Sequence, residues 1–466
     1  MKMHLSSSQK KVHVRSFIIT VLICFSGLMV GLDLGVISGA LSFIAQTFKA
    51  STLALEWIVG IMLAGAAVGS ILAGYWAKQL GRKKLLVITA ILLFLGSGGC
   101  AIAWSVFSLL IGRFVMGVGL GIAAFAAPVY ISELIMEEIR GLMGTFFQLM
   151  ITIGILLSYL SNYFLSGLDN NWRWMFAIAL IPATLSLISV FFLPSDPRWL
   201  ITRGREEEAL KTLKYLRYTD AAAHKDIEGI KTDIKTQTTA QNGFSLFKNN
   251  VHFRRAVFLG ITLQAMQQLA GINAIINYAP TIFKLAGFGA DSQLTNTILV
   301  GVINILSTFI AMALIEKWGR KPILYIGFSI MMVSMAVLAL SISTGNGSSF
   351  VQTLSVAMLL LFIIGFAMSI GPLAWVICSE IQPSNGRDFG VSLSTLSNWI
   401  SNMLVSASFL SLLELIGYGG TFWIFAGLNG LFIILTFMFV PETKGVALKD
   451  LEQNLMKGIQ LRKIGR

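Results

Sequence analysis

Lipid offers no hydrogen bonds, so an apolar stretch of about 18 residues or more can hide its backbone in a membrane only as a helix or in a closed barrel. This chain holds about twelve such stretches, near 17–41, 55–77, 85–104, 107–130, 142–165, 174–193, 256–280, 295–315, 322–343, 353–378, 389–413 and 421–440. Membrane barrels use much shorter, alternating segments. The class is therefore an all-α polytopic membrane protein. Its composition agrees: 55% of the 466 residues are hydrophobic and 12% charged, against about 25% charged in soluble proteins.

The net charge of +13 does not point to nucleic acid, because of where the charges fall. Of 35 lysines and arginines, only Lys49, Arg173 and Lys284 occupy the odd-to-even loops, and only Arg113 lies inside a span. The others occupy the tails and the even-to-odd connections. That is the positive-inside pattern, and it places both termini in the cytoplasm. Lys10, Lys11 and Arg15 precede an apolar stretch too long for a signal-peptide core, so the first span reads as uncleaved.

Cys24, Cys100 and Cys378 fall singly in different spans, with neither disulfide nor metal spacing. Neither a metal nor a cofactor is expected. His4, His13, His224 and His252 all lie outside the spans, so a proton crossing the membrane must use a carboxylate.

A repeat emerges from the charged corners. Leu80-Gly81-Arg82-Lys83-Lys84 follows the second span and Trp318-Gly319-Arg320-Lys321-Pro322 the eighth. Ser132-Glu133, with Arg140 seven residues after the glutamate, follows the fourth, and Ser379-Glu380 with Arg387 the tenth. Pro194-Ser195-Asp196-Pro197-Arg198-Trp199 closes the sixth and Pro441-Glu442-Thr443-Lys444-Gly445 the twelfth. Two six-helix halves repeated in parallel are the pattern of the major facilitator fold, with the substrate site at mid-membrane between them. The expected organisation is an N-terminal half over 1–193, a polar cytoplasmic linker over 194–254, a C-terminal half over 255–440 and a cytoplasmic tail over 441–466. Within the linker, Leu210, Leu213 and Leu216 recur at near-helical spacing and Glu207 precedes Lys211 by four residues, which predicts an amphipathic helix.

Asp33 is the one charge in its span, where a carboxylate costs roughly 2.5–3.5 kcal/mol on insertion scales. Arg113, in the fourth span, is its natural partner. Burial disfavours the ionised carboxylate and a guanidinium favours it, so moving the two together or apart switches proton affinity. A permanent ion pair that only fixes helix packing accounts for the same residues.

Gln264, Gln267 and Gln268 share one face of the seventh span, and Gly271-Ile272-Asn273 and Pro280 interrupt that helix just beyond. Amides both donate and accept, which suits sugar hydroxyls; interhelical glue is the other reading. Gln148 and Asn304 are lone mid-span amides, and Trp375 and Trp399 lie away from the interfacial belts. An indole offers an apolar face to the C–H side of a sugar ring, or simply packs a core. At the cytoplasmic helix ends, Arg82, Glu133 and Arg140 face the same set of charges as Arg320, Glu380 and Arg387 in the other half. They read either as a closing latch or as exposed salt bridges of about 0–1 kcal/mol each.

These motifs, in this order, resemble the sugar porters of the major facilitator superfamily, most nearly the bacterial galactose–proton and arabinose–proton symporters. The likeness runs from Gly31-Leu32-Asp33-Leu34-Gly35-Val36-Ile37 through Gln267-Gln268-Leu269-Ala270-Gly271-Ile272-Asn273 to Pro441-Glu442-Thr443-Lys444. It implies an inner-membrane importer, not an enzyme, that moves a hexose or pentose of the galactose, arabinose, glucose or xylose type with protons. The expected partners are the monosaccharide, protons and membrane lipids, with no nucleic acid, in a monomer. A facilitative sugar uniporter and a proton-driven drug exporter are the alternatives.

By motif position, the resemblance makes Asp33 the proton-binding group and Arg113 its partner. It makes Gln148, Gln267, Gln268, Asn273, Asn304 and Trp375 sugar ligands, and Trp399 a lining residue of the cavity. It also favours the gating role of the cytoplasmic charges. Two positions depart from the family pattern. Asn277 stands where relatives usually carry an outer-gate tyrosine, and Lys78 where an acidic residue is common, although Glu316 keeps acidity at the equivalent place in the second half.

Overall fold

The computed structural model describes residues 7–239, 243–343, 348–383 and 385–465. The first six spans are α1 (Ser7–Phe48), α2 (Thr52–Leu80), α3 (Arg82–Ala101), α4 (Val106–Leu134), α5 (Glu137–Leu165), and a sixth made of α6 (Asn171–Ala177) and α7 (Leu180–Phe192). Four short helices follow: α8 (Pro197–Thr202), α9 (Glu206–Leu216), α10 (Asp220–Thr239) and α11 (Gly243–Asn249). The second set comprises α12 (Val251–Leu269) with α13 (Ile272–Leu285), α14 (Ala290–Trp318), α15 (Arg320–Ser343), α16 (Ser349–Met368) with α17 (Ile370–Ile381), α18 (Arg387–Ser406) and α19 (Phe409–Phe439). A tail helix, α20 (Leu448–Met456), closes the chain.

Among the described residues, ten helical stretches are long and apolar enough to cross a membrane. The seventh and eleventh expected spans, α12 and α18, fall short of that measure. The reason is chemical. Helix α12 carries three glutamines and two arginines, and α18 is studded with serines and asparagines.

Three spans are broken where the sequence removes a backbone donor or supplies a glycine. Pro182 has no N–H for the Ile178 carbonyl, and the sixth span divides there; Pro372 does the same to Met368, the last residue of α16. In the seventh span the divider is Gly271, at φ 102°. A side chain there would be strained, and its Cβ would stand 2.8 Å from the Phe425 ring. The eleventh span, expected over 389–413, runs through α18 and a turn at Ala407-Ser408 into the first part of α19; the backbone leaves the helix at Gly417, φ 76°, between that span and the twelfth. The duplicated corners are alike in backbone as in sequence: Gly81 and Gly319 sit at φ 77° and 90°, each followed by the arginine that opens the next helix.

The chain packs as two compact units, one of residues 1–33, 65–155 and 176–240, the other of 34–64, 156–175 and 241–466. In the first unit, α3 and α4 pack closely along their length, and the core gathers Ile19, Ile23, Leu85, Ile122, Tyr130 and Leu134. The linker helix predicted around Leu210 is present as α9. Leu213 packs with Ala223 and Ile227 of α10, and Leu216 joins the membrane-side core beside Leu134. Arg217 donates to the Leu134 carbonyl at 3.0 Å, and the Arg15 guanidinium lies 4.2 Å from the centre of the Tyr215 ring. The helical linker is thereby fastened to the ends of α1 and α4.

The second unit holds α12 to α20 together with the odd-to-even ends of α1, α2 and α5. Tyr159 of α5 donates to the Ile276 carbonyl of α13 at 3.0 Å, and Leu156 and Tyr159 pack against Gly301 of α14. Leu451, Leu455 and Ile464 of the tail close over Ala256 of α12.

Candidate functional site

Asp33 and Arg113 meet in the first unit. Arg113 Nη1 donates to Asp33 Oδ1, and both side chains are within a few per cent of complete burial. The structure thus brings the α1 carboxylate and the α4 guanidinium together. The second carboxylate oxygen, Oδ2, is buried and accepts no hydrogen bond among the described residues. The Arg113 guanidinium also lies 6.0 Å from the centre of the Phe176 ring. A guanidinium stabilises one oxygen of the carboxylate, while the other retains a free lone pair in a dry setting, which is the position a proton would take.

In the second unit, the amides expected on one face of the seventh span form a connected cluster. Gln267 Nε2 donates to the Gly371 carbonyl at the start of α17, and Gln268 Nε2 to Gln267 Oε1 at 3.2 Å. Asn273, the first-turn residue of α13, donates to Gln268 Oε1 and so ties the amide face across the break at Gly271. Asn398 of α18 completes the cluster. Its Nδ2 donates to Gln264 Oε1 at 2.7 Å and to Gln267 Oε1 at 2.6 Å, and its Oδ1 accepts from Gln268 Nε2 at 3.1 Å. All five amide side chains are buried. Gln264 Nε2 and the Trp399 indole N–H are buried donors with no acceptor among the described residues.

Trp375 lies one turn beyond Gly371 on α17 and is 38% exposed. Trp399 and Asn304 are buried in the same unit, whereas Gln148 is half-buried in the first. Gln267, Gln268 and Asn273 are thus brought into direct contact. Asn304, Trp375 and Trp399 share their unit without a hydrogen bond to the cluster among the described residues.

At Asn277 the chain has its own solution. The residue is buried, its Nδ2 donates to Ser406 Oγ at 3.2 Å, and Ser406 passes the bond on to Asn402 Oδ1 at 3.1 Å. The neighbouring Tyr278 donates to the Ser406 carbonyl at 2.7 Å and stacks on Phe409 with ring centres 5.1 Å apart. The middle of α13 is in this way pinned to the end of α18.

The charged corners repeat in three dimensions. Arg82 binds Glu133 at 2.8 Å and lies 3.6 Å from Asp196, while Arg320 binds Glu380 at 2.8 Å. Asp196 Oδ1 accepts the N–H groups of Arg198 and Trp199, and Glu442 accepts those of Arg320 and Lys321 at 3.0 and 2.9 Å. Each arginine pairs with a carboxylate of its own compact unit. Arg387 donates to the Gln382 carbonyl at 3.3 Å; the side chains of Arg140, Lys78 and Glu316 lie outside the described residues.

Sequence reasoning missed Asn398 as the hub of the amides, and Asp196 and Glu442 as the third members of the corners. The signals existed. Asn398 and Asn402 recur at helical spacing in a span too polar to need lipid, and both acids sit in the paired motifs that end each half.

The sugar (and other) transporter family model matches residues 19–455. The chain is 49% identical over 451 residues to the galactose-proton symporter of Escherichia coli K12, covering 97% of this chain and 96% of that one. It is 46% identical to the arabinose-proton symporter of the same strain, over 96% and 95% of the two chains. The fold superposes on a partially occluded, inward-open structure of the E. coli xylose transporter XylE with a TM-score of 0.82 and 29% identity, over 93% of this chain and 99% of that one. The protein belongs to the sugar transporter family and has the major facilitator fold, a polytopic helical membrane transporter rather than an enzyme.

Proposed function

We propose that the protein is a monosaccharide–proton symporter, importing a hexose or pentose of the galactose, arabinose, glucose or xylose type by alternating access. The observation that carries the reading is the buried Asp33–Arg113 pair, whose second carboxylate oxygen has no partner among the described residues, in a chain nearly half identical to galactose and arabinose symporters. A uniporter has no need of an ionisable group at this place.

Asp33 takes a proton from the outer side, which loosens its bond to Arg113 and lowers the cost of rearranging α1 against α4. Gln267, Gln268 and Asn273 bind the sugar by exchanging their mutual hydrogen bonds for bonds to its hydroxyls, so these three amides keep partners in either state. Gln148 from the other half, Asn304, Trp375 and Trp399 complete the sugar site. The corners around Arg82, Glu133 and Arg140, and around Arg320, Glu380 and Arg387, govern the cytoplasmic side. Both termini lie in the cytoplasm, following the distribution of lysine and arginine, and the protein works as a monomer in the lipid of the bacterial inner membrane.

The test is a panel of monosaccharides added to lightly buffered, energy-depleted cells making the protein. One sugar should cause alkalinisation of the medium in step with its own uptake. Uptake without alkalinisation would mean facilitated diffusion, and neither signal with any sugar would reject sugar transport.

A further inference from the structure

Glu56 is a carboxylate the proton and sugar sites do not use. It lies near the start of α2, only 1% exposed, with no cation at salt-bridge distance among the described residues. Burying such a group is expensive unless hydrogen bonds replace its water. Here both oxygens are served by one residue: Ser411 N donates to Oε1 at 2.7 Å and Ser411 Oγ to Oε2 at 2.6 Å. Ser411 stands in the first turn of α19, where backbone N–H groups have no intrahelical acceptor and the helix dipole favours an anion. One turn earlier on α2, Thr52 donates to Glu414. One turn later, Gly60 lies so close to Ala407 that a Cβ at position 60 would be 2.8 Å from the alanine methyl. Three successive turns of α2 thus bear on the α18–α19 corner.

We propose that Glu56 is the outer latch of the transport cycle, a carboxylate of the first half that caps a helix of the second half only while the outer side is closed. The inference rests on the alternating-access reading above. When the outer side opens, the odd-to-even ends of the first six spans must part from the second six. Glu56 then loses both donors, and the first turn of α19 loses its acceptor. Bonds made in one state alone bias the equilibrium towards that state, so Glu56 sets how readily the empty carrier turns outward. Because the bond joins a charged acceptor to a desolvated helix terminus, its loss should move the equilibrium about tenfold.

The experiment uses the full chain with one reporter, Ala407→Cys, labelled in intact cells by a membrane-impermeant maleimide; the three native cysteines are buried. Adding Glu56→Ala should raise the labelling rate about tenfold, and Ser411→Ala should raise it less because the backbone donor remains. The double variant should label no faster than Glu56→Ala alone. In uptake assays, Glu56→Ala should lower both Vmax and the apparent KM for external sugar, the pattern of a carrier resting outward. A reporter rate unchanged by both Glu56→Ala and the isosteric Glu56→Gln, in carriers that still couple sugar to protons, overturns the latch. A raised rate in a carrier that moves sugar without alkalinisation supports the latch and rejects proton coupling.

Discussion

Asn398 holds Gln267 at 2.6 Å from α18, and through the same amide it holds Gln264 and Gln268 as well. The amides proposed to read the sugar are therefore oriented by a residue of a different span. Preorganisation of this kind lowers the ordering cost of binding.

Replacing Asn398 by alanine frees three glutamines at once and leaves their polar atoms competing for one another. Each buried amide left without a partner costs about 1–3 kcal/mol. Sugar affinity should fall tenfold or more, read by equilibrium binding, while the ratio of protons to sugar taken up stays as in the parent. A changed ratio with unchanged affinity would assign Asn398 to coupling instead.

Asp33→Asn keeps an acceptor for Arg113 but cannot exchange a proton. The variant should still swap labelled for unlabelled sugar across the membrane, and should lose both accumulation against a gradient and sugar-induced alkalinisation. Alkalinisation at the parental level would remove Asp33 from the coupling step.

The corner acids make a matched pair of tests. Glu442→Ala strips two N–H acceptors from the start of α15, and Asp196→Ala does the same at α8. Loss of a cap typically costs about 0.5–2 kcal/mol. Both variants should melt at a lower temperature in detergent, and Glu442→Ala should suffer more because α15 is a full span while α8 is six residues long.

Gly271→Ala places a side chain at φ 102°, against the Phe425 ring. Left-handed backbone costs an alanine roughly 1–2 kcal/mol before any clash. Reduced thermal stability and slowed turnover are expected, checked by melting and by initial uptake rates.

Ten of the spans could be read from the sequence because lipid imposes a simple rule of length and polarity that each obeys by itself, whereas α12 and α18 are too polar to meet it. Asp33 and Arg113 were legible for the same reason, since a charge in a span must find a partner. Asn398 was not, because a lone asparagine in a polar helix has the same local pattern whether it faces a glutamine or a neighbouring serine. Glu56 escaped for a related reason. A carboxylate two residues into an expected span looks like an interfacial charge until Ser411, 355 residues away, is seen to bind it. Pairings over such distances have no periodicity to betray them.

The left-handed joint at Gly271 divides one membrane crossing into two rods with separate anchors. The first rod carries Gln264, Gln267 and Gln268 and is braced by Asn398; the second, itself kinked at Tyr278, is moored to Ser406 by Asn277 and Tyr278. A continuous helix would transmit any swing of its outer end straight to the amides, and recognition would blur whenever the gate moved. With a swivel between them, and Asn273 a side-chain link across it, the outer rod can tilt while the amide face keeps its shape.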